Sequence, residues 1–585
     1  MSLDIARFIA FSGLTAAEMQ INLAASNISN ADTPGYTRKT ADQSSVVTGG
    51  IGTGVAITGI SSDVDRLLLK SLIGATSDLG SANVTNSVLS ELQQLFGNTS
   101  SSGNGTSGTS LANTLASLEA ALSSLAGTPS SVSLQSAVVN AVNDVAAQLR
   151  TTSSGIQNLR ANADQDISSS VDSINADIKQ IAALNKSIKQ EAAAGQPTAD
   201  LEDQRNTALQ DLSSYMNVSY FTNSSGDLQI FTASGQPLVD AAAHTMSYTP
   251  STDVTAATSY GSGGFSGITV NGVDVTSQIS SGKVGALITL RDKTLPAAQD
   301  QLDQLAQQLK SSLNEVSNQG TSLPPPAKLT GSASVPDAFS ATGTVRIAVV
   351  GQSGNLVSYK DIDLSQFTSV TDLANAISGS GLTASVDASG HLSITATTAG
   401  DGISINEMTS SVGGSNGPGF SDYFGLNDLV TGTGASDFAV RGDILDGNAP
   451  LPTSTLDPSA TLTAGNQVLS PGSAIVVNAF SSALTGSTKF AAAGGLNATT
   501  GTFANYAAAI VSSVANKATQ ATGMLTAKTT AQATYANSLS AETGVNLDEE
   551  RARISALQNK YSSASELIQV VNSMFNSLMS AIQSG

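Results

Sequence analysis

Residues 546–582 read NLDEERARISALQNKYSSASELIQVVNSMFNSLMSAI, and this stretch decides the fold. Ile554, Leu557, Tyr561, Ala564, Ile568, Val571, Phe575, Leu578 and Ile582 recur at alternating intervals of three and four. That is the a/d seam of helices packing side by side. Asn546 can cap this helix, with Glu549 in capping-box position. Asp548, Glu549 and Glu550 put negative charge in the first turn, where the helix dipole favours it. The N-terminus answers with Leu14, Ala17, Ile21, Ala24 and Ile28 at the same spacing. Ile9, Ala16, Met19 and Leu23 form a second stripe beside the first, so this helix should touch more than one neighbour. It should stop in Asn27-Ile28-Ser29-Asn30-Ala31-Asp32-Thr33-Pro34-Gly35-Tyr36. There Pro34 disfavours helix at Thr33, and Gly35 supplies turn freedom. Two patterned ends suggest pairing with each other and with copies of the chain.

Composition narrows the chemistry. The 585 residues include 25 Lys and Arg against 45 Asp and Glu, a net charge of −20. No Cys is present, so disulfides, Cys-ligated metals and thiol nucleophiles are excluded. His244 and His391 are the only imidazoles, too few for a His-rich metal site. The negative balance speaks against nucleic-acid or anionic-membrane partners. Residues 1–30 contain no apolar signal-peptide core, and no stretch approaches the ~20 apolar residues that span a bilayer. Those two facts alone suggest a soluble cytoplasmic protein.

Between the ends the chain reads in blocks. Residues 38–60 are an extended connection kinked by Gly49, Gly50, Gly52 and Gly54, and a helix starts near Ser62 with Leu67, Leu68 and Leu72 inward. Residues 97–110 are a Gly/Ser/Thr loop. Leu111, Leu115, Leu118, Leu122 and Leu125 mark one helix. Ile167, Val171, Ile174, Ile178, Ile181 and Ile188 mark another, and 198–215 form a third. A β patch near 217–276 turns at Asn223-Ser-Ser-Gly226. A long helix over 283–318 follows, kinked at Pro296. Past Leu323-Pro324-Pro325-Pro326 the period becomes two, through Val345, Ile347 and Val349, Leu392 and Ile394, and Ile403 and Ile405. This predicts a mainly-β domain with one solvated face. Residues 451–499 give no firm reading, and helix resumes near 502.

Candidate catalytic features are thin. Asp63 with Asp65, and Asp361 with Asp363, are carboxylate pairs without the further oxygens and central Gly of a calcium loop. No Gly-x-Ser-x-Gly elbow positions a nucleophile near either His. The glycines at 49–54 lack the Gly-Lys-Ser/Thr of a phosphate loop.

Ala24-Ala25-Ser26-Asn27-Ile28-Ser29-Asn30-Ala31-Asp32-Thr33-Pro34-Gly35-Tyr36 resembles the N-terminal motif of the bacterial flagellar rod, hook and hook-associated proteins. Gly544-Val545-Asn546-Leu547-Asp548-Glu549-Glu550 and its helix resemble that family's C-terminal signature. Ile181–Ile188, Asp200-Leu201-Glu202-Asp203-Gln204-Arg205, Gly235–Val239 and Ala435-Ser436-Asp437-Phe438-Ala439-Val440 extend the likeness toward the hook-associated branch. Asn206, Asn559-Lys560 and Ser562-Ser563 depart from the usual pattern.

The resemblance implies a multidomain α+β subunit. Residues 1–60 and 541–585 would be a terminal coiled-coil domain forming an inner tube. Residues 61–322 and 500–540 would be a rod-like helical domain, 327–450 an outer mainly-β domain, and 451–499 remain unplaced. The implied role is a structural, non-enzymatic adaptor at the hook–filament junction, without cofactors or metals. Its assembly residues would be Leu14, Ile21, Asn27, Ile28, Asn30, Pro34, Gly35 and Tyr36, with Ile554, Leu557, Tyr561, Ile568, Val571, Phe575, Leu578 and Ile582. Implied partners are copies of itself, the hook protein, the next hook-associated protein, a cytoplasmic chaperone on the C-terminal helix and the flagellar type III export apparatus. Export would use an uncleaved N-terminal signal, which replaces the cytoplasmic reading. Another axial subunit, a secreted adhesin or a secreted hydrolase are the alternatives.

Overall fold

The computed structural model describes residues 2–97, 110–414 and 416–583. Helix α1 (Ser2–Ser29) leads to an antiparallel hairpin, β1 (Lys39–Thr48) and β2 (Ile51–Ser62). The chain reverses at Gly49-Gly50, both at positive φ (59° and 81°), where glycine carries no Cβ penalty. Residues 38–60 are therefore folded on themselves rather than a single connection. Helix α2 (Arg66–Phe96) starts later than Ser62, because Asp65 accepts the Leu67 and Leu68 amides as its cap. Leu67, expected inward, is exposed on that first turn. The Gly/Ser/Thr loop expected at 97–110 lies, apart from its two end residues, outside the described residues.

Helices α3 (Leu111–Gly127), α4 (Val132–Ala193) and α5 (Ala199–Tyr215) follow. The five leucines of α3 are buried as read, each worth about 1.5–3 kcal/mol relative to exposure. The 62 residues of α4 serve two cores. Its first half packs with α3 and later helices, and its Ile167–Ile181 stripe with α5 and the β patch. That patch is β3 (Ser219–Thr222), β4 (Leu228–Phe231) and β5 (Pro237–Val239), then β6 (Met246–Ser247), β7 (Thr269–Val270) and β8 (Val273–Asp274). Helices α6 (Gly282–Thr289) and α7 (Leu295–Asn318) are separated by a π turn over Leu290–Thr294. The Leu295 amide donates to the Leu290 carbonyl, five residues back. The irregularity thus precedes Pro296. A proline there has no N–H and crowds the carbonyl four residues back, and the wider turn relieves both.

The next unit holds β9 (Lys328–Thr330), β10 (Ala341–Thr342), β11 (Thr344–Gly351), β12 (Leu356–Asp363), α8 (Val370–Ile377), β13 (Leu382–Val386), β14 (Leu392–Ala396), β15 (Asp401–Asn406), β16 (Ser411–Val412) and α9 (Phe420–Phe424). Its two larger sheets run β12-β11-β15 and β13-β14-β9, all antiparallel. The one-solvated-face expectation fails at β11. Val345, Ile347 and Val349 enter a core with α8 and α9, while Ala348 and Val350 are buried beneath Leu456, Val468 and Leu469. A segment more than a hundred residues downstream covers the second face, which no local periodicity can show. After α10 (Gly442–Leu445), helix α11 (Ile475–Thr485) returns to the helical core through Val476, Val477, Phe480 and Leu484. Helix α12 (Phe503–Thr543) lies along α2, and α13 (Leu547–Gln583) along α1.

Candidate assembly site

The two ends of the chain meet at an elbow made by residues 27–39. Asn27, fully buried, donates to the Lys39 carbonyl (3.0 Å) and accepts the Lys39 amide (3.0 Å) and the Tyr36 hydroxyl (2.9 Å). One side chain thereby fixes the start of β1 against the last turn of α1. Gly35 turns the chain at φ 79°, and a Cβ there would collide with the Thr207 hydroxyl on α5. The helix stops because Pro34 cannot continue it and Gly35 can take the left-handed conformation.

Three elements grip this elbow. From α5, the buried Asp203 accepts the Thr37 amide (2.9 Å) and hydroxyl (2.8 Å) and pairs with the Lys39 ammonium, which also sits 3.7 Å from Asp200. The same ammonium lies 4.7 Å from the Tyr36 ring centroid. Burial, reinforced by Asp200, Asp203 and Glu550, raises the Tyr36 hydroxyl above its ordinary pKa. From the α12–α13 joint, the Thr543 carbonyl accepts the Arg38 amide (2.8 Å). Arg38 also reaches Glu549 (3.1 Å) and the buried Glu550 (3.9 Å). Asn546 caps α13 by accepting the Asp548 and Glu549 amides, at 3.0 and 3.3 Å. The capping-box role read for Glu549 is not seen, because its carboxylate is drawn to Arg38.

Beyond the elbow, α1 packs against α13 and against the hairpin. Its buried apolar residues are small: Ala10, Ala16, Ala17 and Ala24. Leu14, Ile21 and Ile28 are half-buried, as are Asn30 and Tyr36, while Pro34 and Gly35 are exposed. On α13, Leu557 and Val571 are buried and Ile554 and Ile568 half-buried. Tyr561, Phe575, Leu578 and Ile582 are exposed, Ile582 to 67%. Phe8, Phe11, Leu567, Val570, Met574 and Met579 add to this bare apolar surface. An alanine-faced partner covers only part of a stripe built for larger contacts.

The other sequence candidates, the exposed Asp63 apart, have structural partners. Asp65 is the α2 cap, Asp361 pairs with Arg346 (2.7 Å) and Asp363 caps a short 3-10 turn. His244 contacts Asp240 (3.0 Å) and His391 contacts Asp387 (3.1 Å). Among the described residues no cluster of three or more His, Cys, Asp or Glu could hold a metal ion, and no helix is long and apolar enough to cross a membrane. The sequence pointed to the elbow through its Pro-Gly-Tyr but not to Arg38, Lys39 or Thr543, whose partners are remote in the chain. Asp203 was visible only as part of a family motif. Arg205 in that motif holds Asn185 (3.0 Å) and the Gly226 carbonyl (2.8 Å), tying α5 to α4 and the β3–β4 turn.

Comparison with known proteins finds relatives. Residues 89–329 match the model described as the flagellar hook-associated protein FlgK helical domain, and residues 9–37 match that of the flagella basal body rod protein. Flagellar hook-associated protein 1 of Escherichia coli strain K12 is 24% identical over 589 residues, covering 97% of this chain and 98% of that protein. The protein of the same name from Salmonella typhimurium is 25% identical over 602 residues, with the same coverage. A solved structure of the flagellar hook junction protein FlgK from Burkholderia pseudomallei aligns with a TM-score of 0.47 and 17% identity, covering 80% of this chain and 98% of that one. The sequence likenesses span both terminal motifs, the helical body and the outer unit, so that over 97% of its length the chain is similar to the flagellar hook-associated protein 1 of these two bacteria.

Proposed function

We propose that the chain is a structural subunit of the bacterial flagellum that polymerises at the hook–filament junction and joins the two mechanically. The observation that carries this reading is the terminal helix pair. It is locked at its root by Asn27, Lys39 and Asp203, yet leaves Phe8, Phe11, Phe575, Leu578 and Ile582 uncovered. A surface that one copy cannot bury is satisfied by neighbouring copies, and head-to-tail contacts propagate instead of closing. In this reading residues 1–60 with 541–585 form the inner tube, 61–322 with 500–540 the middle layer and 327–450 the outer layer. Residues 451–499 serve as cover for the outer sheet and as part of the helical body. The apolar stripes on α1 and α13 also explain why such a chain would need a cytoplasmic chaperone before type III export to the cell exterior. The subunit is read as non-enzymatic, with the hook protein, the next hook-associated protein and its own copies as partners. Deleting the chain from its source bacterium tests the reading. Hooks without attached filaments are expected by electron microscopy, and normal filaments would overturn it.

A further inference from the structure

His244, one of two imidazoles in the chain, stands between a carboxylate and an asparagine that take no part in the assembly surface. It closes a tight turn after β5, where its amide donates to the Leu238 carbonyl (2.9 Å) and Val239 bridges Ala243. Its Nε2 lies 3.0 Å from Asp240 Oδ1, and its Nδ1 lies 3.1 Å from Asn271 Nδ2. The Ala242 amide first, and His244 after it, hold the Asp240 carboxyl below its ordinary pKa. An ionised carboxylate can only accept a hydrogen bond, and a side-chain amide nitrogen can only donate one. Nε2 therefore carries the ring proton, and Nδ1 turns a bare lone pair to Asn271.

Asn271 and Gly272 form the turn between β7 and β8, at φ 50° and 79°, a pairing that suits such a turn. In Asn-Gly the glycine amide can also attack the side-chain amide before it, since glycine puts no Cβ in the way. Nothing lies within 4 Å of where a Gly272 Cβ would stand. Among the described residues the Gly272 amide donates no hydrogen bond. The flanking strands are two residues each, and residues 271–274 are all exposed. The turn is thus free to close the Gly272 nitrogen on Asn271 Cγ. Asn416-Gly417 supplies the contrast. There the glycine amide is spent on the Gly414 carbonyl (3.0 Å) and the Ser411 hydroxyl (3.0 Å).

We propose that Asn271 is a site of spontaneous modification, a deamidation that His244 assists and Asp240 orients. The Gly272 nitrogen bonds to Asn271 Cγ and gives up its proton, which His244 Nδ1 accepts. The Cγ–Nδ2 bond then breaks, and His244 returns the proton to the departing nitrogen, which leaves as ammonia. Water opens the resulting succinimide ring, leaving aspartate or isoaspartate at position 271. No electrons are exchanged, and solvent water is the sole co-reactant. His244 already stands within the ~2.6–3.2 Å of the leaving nitrogen that proton transfer requires. Asp240 stabilises the imidazolium formed in between, as a third group orients and supports a catalytic base. The inference does not depend on the polymerising reading above.

Peptide mapping of the purified full-length chain by mass spectrometry tests this. During incubation at neutral pH the peptide holding Asn271 is expected to gain the mass of an amide turned to an acid, while the peptide holding Asn416 lags behind. His244→Gln keeps a side chain that can bond Asn271 but cannot carry a proton. It should slow conversion at Asn271 by about tenfold or more and leave Asn416 unchanged. Asp240→Asn keeps the imidazole, removes the charge behind it and should slow conversion to a lesser degree. Circular dichroism of both variants should match the parent. An Asn271 peptide that stays unconverted in the folded chain while it converts in the urea-unfolded chain would overturn the site. An unchanged or faster rate in either folded variant would overturn the role given to His244. Neither result bears on polymerisation, which the deletion strain tests separately.

Discussion

Asn27 satisfies both backbone groups of the buried Lys39 and accepts one hydroxyl, that of Tyr36. Asn27→Ala strands those groups, at about 1–3 kcal/mol for each buried group left unpaired. The expected result is loss of amide-exchange protection at Lys39 and Thr37, with the cores around α4 unaffected. Protection equal to the parent's would mean that Asn27 is not the lock. Gly35→Ala should act in the same direction, because it combines a positive φ with a collision against Thr207, and strain of this kind is worth about 1–2 kcal/mol. Exchange at Thr37 reads it. At this scale the sequence was half legible. Asn27, Pro34 and Gly35 announced a break in the helix. Asp203, which holds Thr37 and Lys39 just beyond that break, lies 166 positions after Thr37, and no local pattern ties an exposed-looking acidic helix to it.

Elements with their own period could be read; elements completed from elsewhere could not. The leucines of α3 and the isoleucines of α4 are buried as their spacing requires. The second face of β11 is closed by Leu456, Val468 and Leu469 from a segment with no period of its own. The joint between α7 and α9 shows another non-local arrangement. Asn318 donates to Asp428 (2.7 Å) and Asp422 (3.4 Å) and accepts from Ser421 (2.9 Å) and the Asn427 amide (2.8 Å). Burial, then the neighbouring Asp428, Glu315 and Glu407, push the Asp422 carboxyl from 3.8 up to about 6. A carboxyl raised on folding contributes stability that is complete at low pH and disappears as pH climbs through its folded value. The docking of this unit should therefore weaken between about pH 4 and pH 7. Asp422→Asn should raise its thermal midpoint at pH 8 and flatten that pH dependence in calorimetry. An unchanged slope would contradict the assignment.

The whole molecule joins a well-packed body to a terminal pair that is only partly covered. The four buried apolar side chains of α1 are alanines, and α13 contributes Leu557 and Val571. Helices in proteins owe most of their stability to tertiary contacts, so exchange in the isolated chain should be graded. Amides near 27–39 should be protected by the clamp, whereas residues 2–12 and 570–583 should exchange fastest. Uniform protection to both ends would contradict an unsatisfied seam. The heptad stripe was legible over its full length, including the residues that one copy leaves exposed. The most direct test of the unsatisfied seam is electron microscopy of the deletion strain complemented with a Phe575→Asp, Leu578→Asp double variant. Both side chains are exposed, so the monomer should fold as before. Hooks without filaments are expected, alongside normal levels of folded chain. Filaments of normal number and length would contradict it.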